Sequence, residues 1–176
     1  AEVRPGALDF ALLKDGEETG IVFRGIPNGH EFTSLLLAIL NADGKGKNLP
    51  DEGITRRIRA LQGDIRLQTY VSLVCTNCPD VVQTLNIMTL LNPNIRHEMV
   101  DGALFQEEVN KLNVQAVPAV FANGKLIHVG RGSLGELLDK LEECYTSSDD
   151  GEGCTTKERE FDVLVLGGGP AGASAA

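Results

Sequence analysis

The chain has 176 residues, 42 % of them hydrophobic and 23 % charged, with no Trp and 5 % aromatics, so any core is aliphatic and fills one ordinary domain or two small ones. A net charge of −9 argues against nucleic acid and against an anionic membrane surface as partners. The longest apolar runs, such as Leu35 to Leu40, are far short of a bilayer span, and Ala1-Glu2-Val3-Arg4-Pro5 shows no signal or transit pattern, so a cytoplasmic location is expected.

In chain order, Ala7 to Leu13 reads as a strand, Lys14 to Gly20 as a turn region and Ile21 to Arg24 as a second strand. Gly25 to Gly29 breaks the chain before an amphipathic helix over His30 to Asn41. Glu52 to Leu61 is a short connecting helix, and Lys45, Lys47, Arg56, Arg57 and Arg59 read as a solvated face. Ile65 to Val74 alternates and is rich in β-formers, a strand that runs into Cys75-Thr76-Asn77-Cys78. Pro79 to Leu91 is helical, ended by Asn92-Pro93, and Ile95 to Val100 is a strand. Leu104 to Leu112 is a helix with Leu104, Phe105, Val109 and Leu112 on one side. Ala119 to Phe121 and Leu126 to Val129 form a hairpin about Asn123-Gly124. Ser133, with Glu136 three residues on, caps a last helix over Leu134 to Tyr145.

From Ile65 onward the order is βαβαββα. Its first two strands are a parallel pair joined by a crossover helix. The block before it repeats strand, turn, strand, Gly-rich break and helix, the pattern of residues 119 to 145, so an internal repeat beginning midway through its first copy is expected. A strand edge left open by that truncation would need covering. Residues 146 to 157 read as a linker, and Phe161 to Leu166 as a buried-type strand leading into Gly167, Gly169 and Gly172.

Four cysteines are too few to scaffold a chain of this size. A C-x-x-C between a strand and a helix suits dithiol–disulfide exchange, because unpaired N–H groups and the dipole at a helix N-terminus favour a thiolate. Cys75 precedes the helix and is the exposed, ionisable sulfur, with its pKa expected to fall from about 8.5 into a range of ~3.5–7.5. Cys78 lies one turn in and is suited to resolving a mixed disulfide. Thr76 and Asn77 set the thiolate's hydrogen bonding and flank the docking surface. The competing reading is a structural zinc site, which would need two more ligands from His30, His97, His128, Cys144 and Cys154. Without a motif around them, Cys144 and Cys154 read as incidental. Val117-Pro118, just before the third strand, is either a strand-start proline or, in this strand order, a cis proline facing the cysteines, with the Val117 backbone open to an extended substrate segment. Glu31 is either a first-turn acid complementing its helix dipole or a buried acid that moves protons for the dithiol. Gly167, Gly169 and Gly172 form a dinucleotide-type G-x-G-x-x-G, but with only Ala173 to Ala176 after it this segment is expected to bind no cofactor by itself.

Three stretches, Gly29-His30-Glu31-Phe32-Thr33-Ser34-Leu35, Cys75-x-Asn77-Cys78-Pro79-Asp80-Val81-Val82-Gln83 and Val117-Pro118-Ala119-Val120-Phe121-x-Asn123-Gly124-Lys125, together with Phe161 to Ala173, resemble the N-terminal part of the flavoprotein component of bacterial alkyl hydroperoxide reductase. The resemblance covers nearly the whole chain. It implies an α/β, thioredoxin-like fold with one complete copy preceded by a partial copy. The implied division is residues 1–49 as half of a first fold, 50–62 a connecting helix, 63–146 the complete redox-active domain, 147–159 a linker and 160–176 the start of an FAD-binding domain. It further implies that Cys75 and Cys78 relay electrons from NAD(P)H, through FAD and a C-terminal flavoprotein dithiol, to the disulfide of a peroxiredoxin subunit. FAD, NAD(P)H and a possible homodimer belong to the full-length protein. Two other readings stay open beside it, a general glutaredoxin-like protein disulfide oxidoreductase and a non-catalytic zinc-binding module.

Overall fold

A computed structural model describes residues 2–3, 9–44 and 46–145. Its elements in chain order are strands β1 (Glu2–Val3), β2 (Asp9–Lys14) and β3 (Glu17–Arg24), a 3-10 turn at Gly29–Glu31, and helices α1 (Phe32–Ala42) and α2 (Glu52–Ala60). There follow β4 (Ile65–Val71), α3 (Cys78–Leu91), β5 (Ile95–Asp101), α4 (Gln106–Lys111), β6 (Ala119–Ala122), β7 (Lys125–Val129) and α5 (Leu134–Tyr145). From β4 onward this is the expected βαβαββα.

Among the described residues the strands form one seven-stranded sheet in the order β1-β2-β3-β5-β4-β6-β7. Here β4 and β5 are parallel, β6 runs antiparallel to β4, and β7 returns antiparallel to β6 through the Asn123-Gly124 turn. Period-2 alternation assigns the faces. Ile65, Leu67, Val120 and Ala122 point to the side covered by α2, α3 and α5, where they meet Val81, Leu85, Met88, Leu137, Leu138 and Leu141. Tyr70, Val100, Ala119 and Phe121 point to the other side, against Phe105, Val109 and Leu112 around α4. Leu104 does not join them and is exposed, because α4 is shorter than the apolar pattern suggested and starts at Gln106.

The edge of the first block is not left open. Strand β3 pairs in parallel with β5, from Ile21 against His97 to Arg24 against Val100, and β2 pairs with β1 on its far side. The two blocks therefore share one sheet and an apolar cluster of Ile21, Phe23, Ala38, Val71, Cys78, Val82 and Met99. Arg57 also departs from the solvated face expected of it: its guanidinium bonds Glu142 at 2.8 and 2.6 Å and Asp139 at 2.6 Å, tying α2 to α5.

Strand β4 ends at Val71, three residues before the expected Val74. The chain must leave the sheet there to bring a sulfur to the surface: the Cys75 N–H turns back to the Ser72 carbonyl at 2.9 Å, and Val74 is 83 % exposed.

Candidate functional site

Cys75 and Cys78 are joined by a disulfide, with their Cα atoms 5.5 Å apart. Cys78 is the first residue of α3 and is fully buried, whereas Cys75 is half-buried in the preceding turn, with Thr76 and Asn77 exposed beside it. Asn77 stands at the N-cap and its side chain makes no capping bond, so the first-turn N–H groups of α3, other than at Pro79, which has none, are free for a thiolate. One sulfur is thus reachable and the other is shielded, an asymmetry that a two-step exchange requires.

Opposite the disulfide lies the start of β6. The Val117–Pro118 peptide is cis, Pro118 is buried, and the Val117 carbonyl oxygen is 4.0 Å from Cys75 Sγ. That main chain sits at the rim of the redox face.

The first block contributes Glu31. The 3-10 turn that carries it is tied to the cysteine loop by the His30 N–H, which donates to the Leu73 carbonyl at 3.2 Å. A glycine is needed next to it: Gly29 has φ +55°, and a Cβ there would lie 2.6 Å from the Leu73 oxygen. Glu31 is fully buried, its Oε2 accepts from Ser34 Oγ at 2.6 Å, and its Oε1 has no partner. Burial pushes its carboxyl up to about 7, against a smaller lowering by the Ser34 hydroxyl. Such burial does not suit an exposed acid complementing a dipole. Gln83, one turn along α3 from Pro79, reaches Ser34 Oγ at 3.4 Å and so bridges α3 to the helix that Glu31 precedes.

Two histidines considered as zinc ligands are engaged elsewhere. His97 is fully buried under α3, with Nδ1 2.7 Å from Asn86 Oδ1 and Nε2 2.8 Å from Thr69 Oγ1; burial pushes it down to about 3, so the ring is neutral. These partners make Nδ1 the donor to Asn86 and Nε2 the acceptor from Thr69. His97 was legible in the alternation Ile95-His97-Met99, which places it on the covered face, but its partners were not. His128 lies at the β7–α5 turn. Among the described residues no three His, Cys, Asp or Glu side chains converge as a metal-ligand group. Cys144, near the end of α5, carries a disulfide bond and is not an incidental free thiol. Cys154, the 147–159 linker and Gly167, Gly169 and Gly172 lie outside the described residues. No described helix is long and apolar enough to cross a membrane.

A thioredoxin domain family matches residues 65–143. The chain is 48 % identical over 95 % of its length to an NADH dehydrogenase of Bacillus subtilis, and 47 % identical over 95 % to the F subunit of alkyl hydroperoxide reductase in Pseudomonas aeruginosa. It covers 32 % of each, so it spans about a third of the length of the curated relatives it matches. Among solved structures it resembles the alkylhydroperoxide reductase AhpF of Enterococcus faecalis at 35 % identity and TM-score 0.69, over 76 % of this chain and 64 % of that one. The NTD_N/C domain of the same E. faecalis protein matches at 35 % identity and TM-score 0.66, over 72 % of this chain and 60 % of that one. A protein disulfide oxidoreductase from Aeropyrum pernix, 24 % identical with TM-score 0.67 over 77 % of this chain and 58 % of that one, shares the fold. A disulfide-forming C-x-x-C pair in a chain with such relatives supports a redox role, and over nearly its whole length the chain corresponds to the N-terminal, thioredoxin-like region of AhpF proteins.

Proposed function

We propose that this chain is a dithiol–disulfide relay that reduces the disulfide of a peroxiredoxin. The observation that carries the reading is the asymmetric Cys75–Cys78 pair at the start of α3, with one sulfur half-exposed and one buried, facing the Val117 main chain. In the reduced form the Cys75 thiolate attacks one sulfur of the partner disulfide. The partner's S–S bond breaks, its second sulfur leaves as a thiolate, and a mixed disulfide forms on Cys75. Cys78 then loses its proton and attacks Cys75 Sγ, which releases the partner's first sulfur and closes the Cys75–Cys78 disulfide. Two electrons pass to the partner, and two protons end on its thiols.

Each group has a part in this sequence. The uncapped first turn of α3 stabilises the Cys75 thiolate. Glu31, with a carboxyl near neutrality and a free Oε1, takes the proton that the buried Cys78 must lose. Thr76, Asn77 and the Val117-Pro118 main chain dock the partner. A dithiol on a flavin- and nicotinamide-dependent reductase, which the family resemblance implies, returns the electrons. In this reading residues 1–49 are the C-terminal half of a first thioredoxin-like fold, with 63–146 the complete one.

The test uses dithiothreitol as electron donor, with oxidised two-cysteine peroxiredoxin and insulin as protein disulfides. Cys75→Ser is expected to lose turnover of both, and Cys78→Ser to accumulate the mixed disulfide. A Cys75→Ser chain that still turns over the peroxiredoxin would sink the assignment. Insulin turned over as fast as peroxiredoxin would favour a general protein disulfide oxidoreductase. Thiols gained at both Cys75 and Cys78 on reduction, mapped by alkylation, with no bound metal, would eliminate the zinc module.

A further inference from the structure

The turn between β7 and α5, Gly130 to Ser133, forms one wall of the redox face. The Gly130 N–H donates to the Pro118 carbonyl at 2.8 Å, and the Arg131 guanidinium lies 3.6 Å from Asp80 at the start of α3. A side chain with no part in the exchange chemistry holds this turn. His128, at the end of β7 and largely buried, places Nε2 3.0 Å from the Gly130 carbonyl oxygen and 3.1 Å from that of Arg131. Its Nδ1 lies 2.8 Å from Lys140 Nζ, and the same ammonium donates to the Ile127 carbonyl at 3.0 Å.

These contacts fix the tautomer. An ammonium has no lone pair, so Nδ1 must accept from Lys140, and the single ring proton sits on Nε2, where both turn carbonyls receive it. The turn is built closely around this ring: Gly130 adopts φ +86°, and a Cβ on Gly132 would come within 2.6 Å of Nε2. A continuous hydrogen-bonded path thus runs from Lys140 on α5, through His128 and the Gly130 turn, to Pro118. It ends one residue from the Val117 carbonyl that faces Cys75.

We propose that Lys140 and His128 are positioning residues that hold the Val117-Pro118 main chain in register for a partner's extended segment. Lys140 selects the tautomer, and His128 fixes the turn. Without the Lys140 donor the ring proton is free to move to Nδ1, and both carbonyl bonds are lost together. The pair therefore acts on docking of a protein disulfide and leaves the sulfur chemistry alone. The inference rests on the relay reading above.

The experiment compares His128→Ala, Lys140→Met and Lys140→Arg in the intact chain. Each is assayed with dithiothreitol on whichever protein disulfide the wild type turns over, oxidised peroxiredoxin or insulin, and, after reduction and removal of the dithiothreitol, in a single turnover of its Cys75–Cys78 dithiol with the small disulfide 5,5′-dithiobis(2-nitrobenzoic acid). A net hydrogen bond of ordinary strength sets the scale, so KM for the protein disulfide should rise roughly three- to tenfold in His128→Ala and Lys140→Met with kcat little changed. The rate with the small disulfide and the Cys75–Cys78 potential should stay at the wild-type values. Lys140→Arg, which keeps a donor, should restore most of the KM. Should His128→Ala fail to fold, the two Lys140 variants carry the same test. An unchanged KM in Lys140→Met, or an equal slowing of large and small substrates, overturns the proposal. A wild type inert toward every disulfide overturns the relay reading and this inference with it, a result distinct from either of those.

Discussion

Strands β2 and β3 with helix α1, and strands β6 and β7 with helix α5, have the same order of elements in sequence and opposite fates in the fold. In the second set, Leu137, Leu138 and Leu141 of α5 are fully buried against Leu67, Val81 and Leu85. In the first set, Leu36, Ile39 and Leu40 of α1 remain 44, 49 and 53 % exposed, and Phe10, Phe23, Ile26, Phe32 and Leu35 line an open apolar hollow of about 540 Å³. Periodicity made both helices, yet it could not say what each would pack against. The second set has β4 and α3 of its own unit to close on. The first set borrows β5 and α3 across the shared sheet; these bury its Ile21, Phe23 and Ala38 and cover Phe10, Leu12 and Leu35 only in part.

The sharpest break of this comparison is a pair of truncations. Leu138→Ala should cost about 2–5 kcal/mol in denaturant unfolding, as lost transfer energy plus a cavity at a site hemmed in by two helices and a sheet. Leu40→Ala should cost less than about 0.5 kcal/mol, because half its surface already meets water. Equal costs would mean that the α1 face is covered in solution. Sedimentation would then separate a second copy of the chain from an internal cover.

The same contrast shows how far the sequence could be read. The βαβαββα order, the Asn123-Gly124 hairpin and the Ser133–Glu136 cap were legible because each is specified within a few residues. The cap is realised by the Ser133 N–H donating to Glu136 Oε2 at 2.7 Å. Cys75 and Cys78 were legible for the same reason. The β3–β5 pairing was not, since a parallel contact between residues 76 positions apart leaves no local mark beyond two apolar runs. Nor was the state of Glu31, whose position in a first turn fits both an exposed acid and a buried one. The outcome depended on Leu73 of the β4–α3 loop lying over that turn. The end of β4 was misjudged because Leu73 and Val74 are good β-formers, and the need to expose Cys75 overrides propensity.

Glu31 offers a second way to sharpen the comparison, because it is a buried acid that the first block presents to the redox half. Its folded carboxyl is raised to about 7, above the ordinary value of 4.5, so the folded chain holds this proton more tightly than the unfolded one. The stabilisation is therefore complete below about pH 4.5 and is lost as pH rises toward and through 7, a change on the order of 3 kcal/mol by pH 8. Glu31→Gln should flatten that slope in urea unfolding measured from pH 4.5 to 8. An unaltered slope would show that the carboxyl is hydrated in solution.

The smallest expected effect tests whether the two blocks behave as one body. Arg24, the last residue of β3, donates to Glu108 of α4 at 3.0 and 2.7 Å and stacks 4.2 Å above the Phe105 ring. The Tyr70 hydroxyl, pushed up to about 12 chiefly by burial and so always a donor at neutral pH, adds a bond to the same carboxylate at 3.0 Å. The guanidinium hydrogen bond holds Glu108 below the usual carboxylate range. This cluster joins the blocks on the face opposite the disulfide, where α4 covers the sheet. Bidentate geometry favours a measurable coupling, while the partial exposure of Glu108 and screening by salt limit it. A double-mutant cycle of Arg24→Lys and Glu108→Gln should give about 1 kcal/mol at low ionic strength, shrinking at 1 M salt. Loss of the Phe105 contact largely cancels in the cycle because lysine keeps a cation near the ring. If the coupling is absent and unfolding splits into two transitions, the first block docks on the second without sharing its cooperativity. The Glu31 turn would then open over the disulfide independently of the fold beneath it.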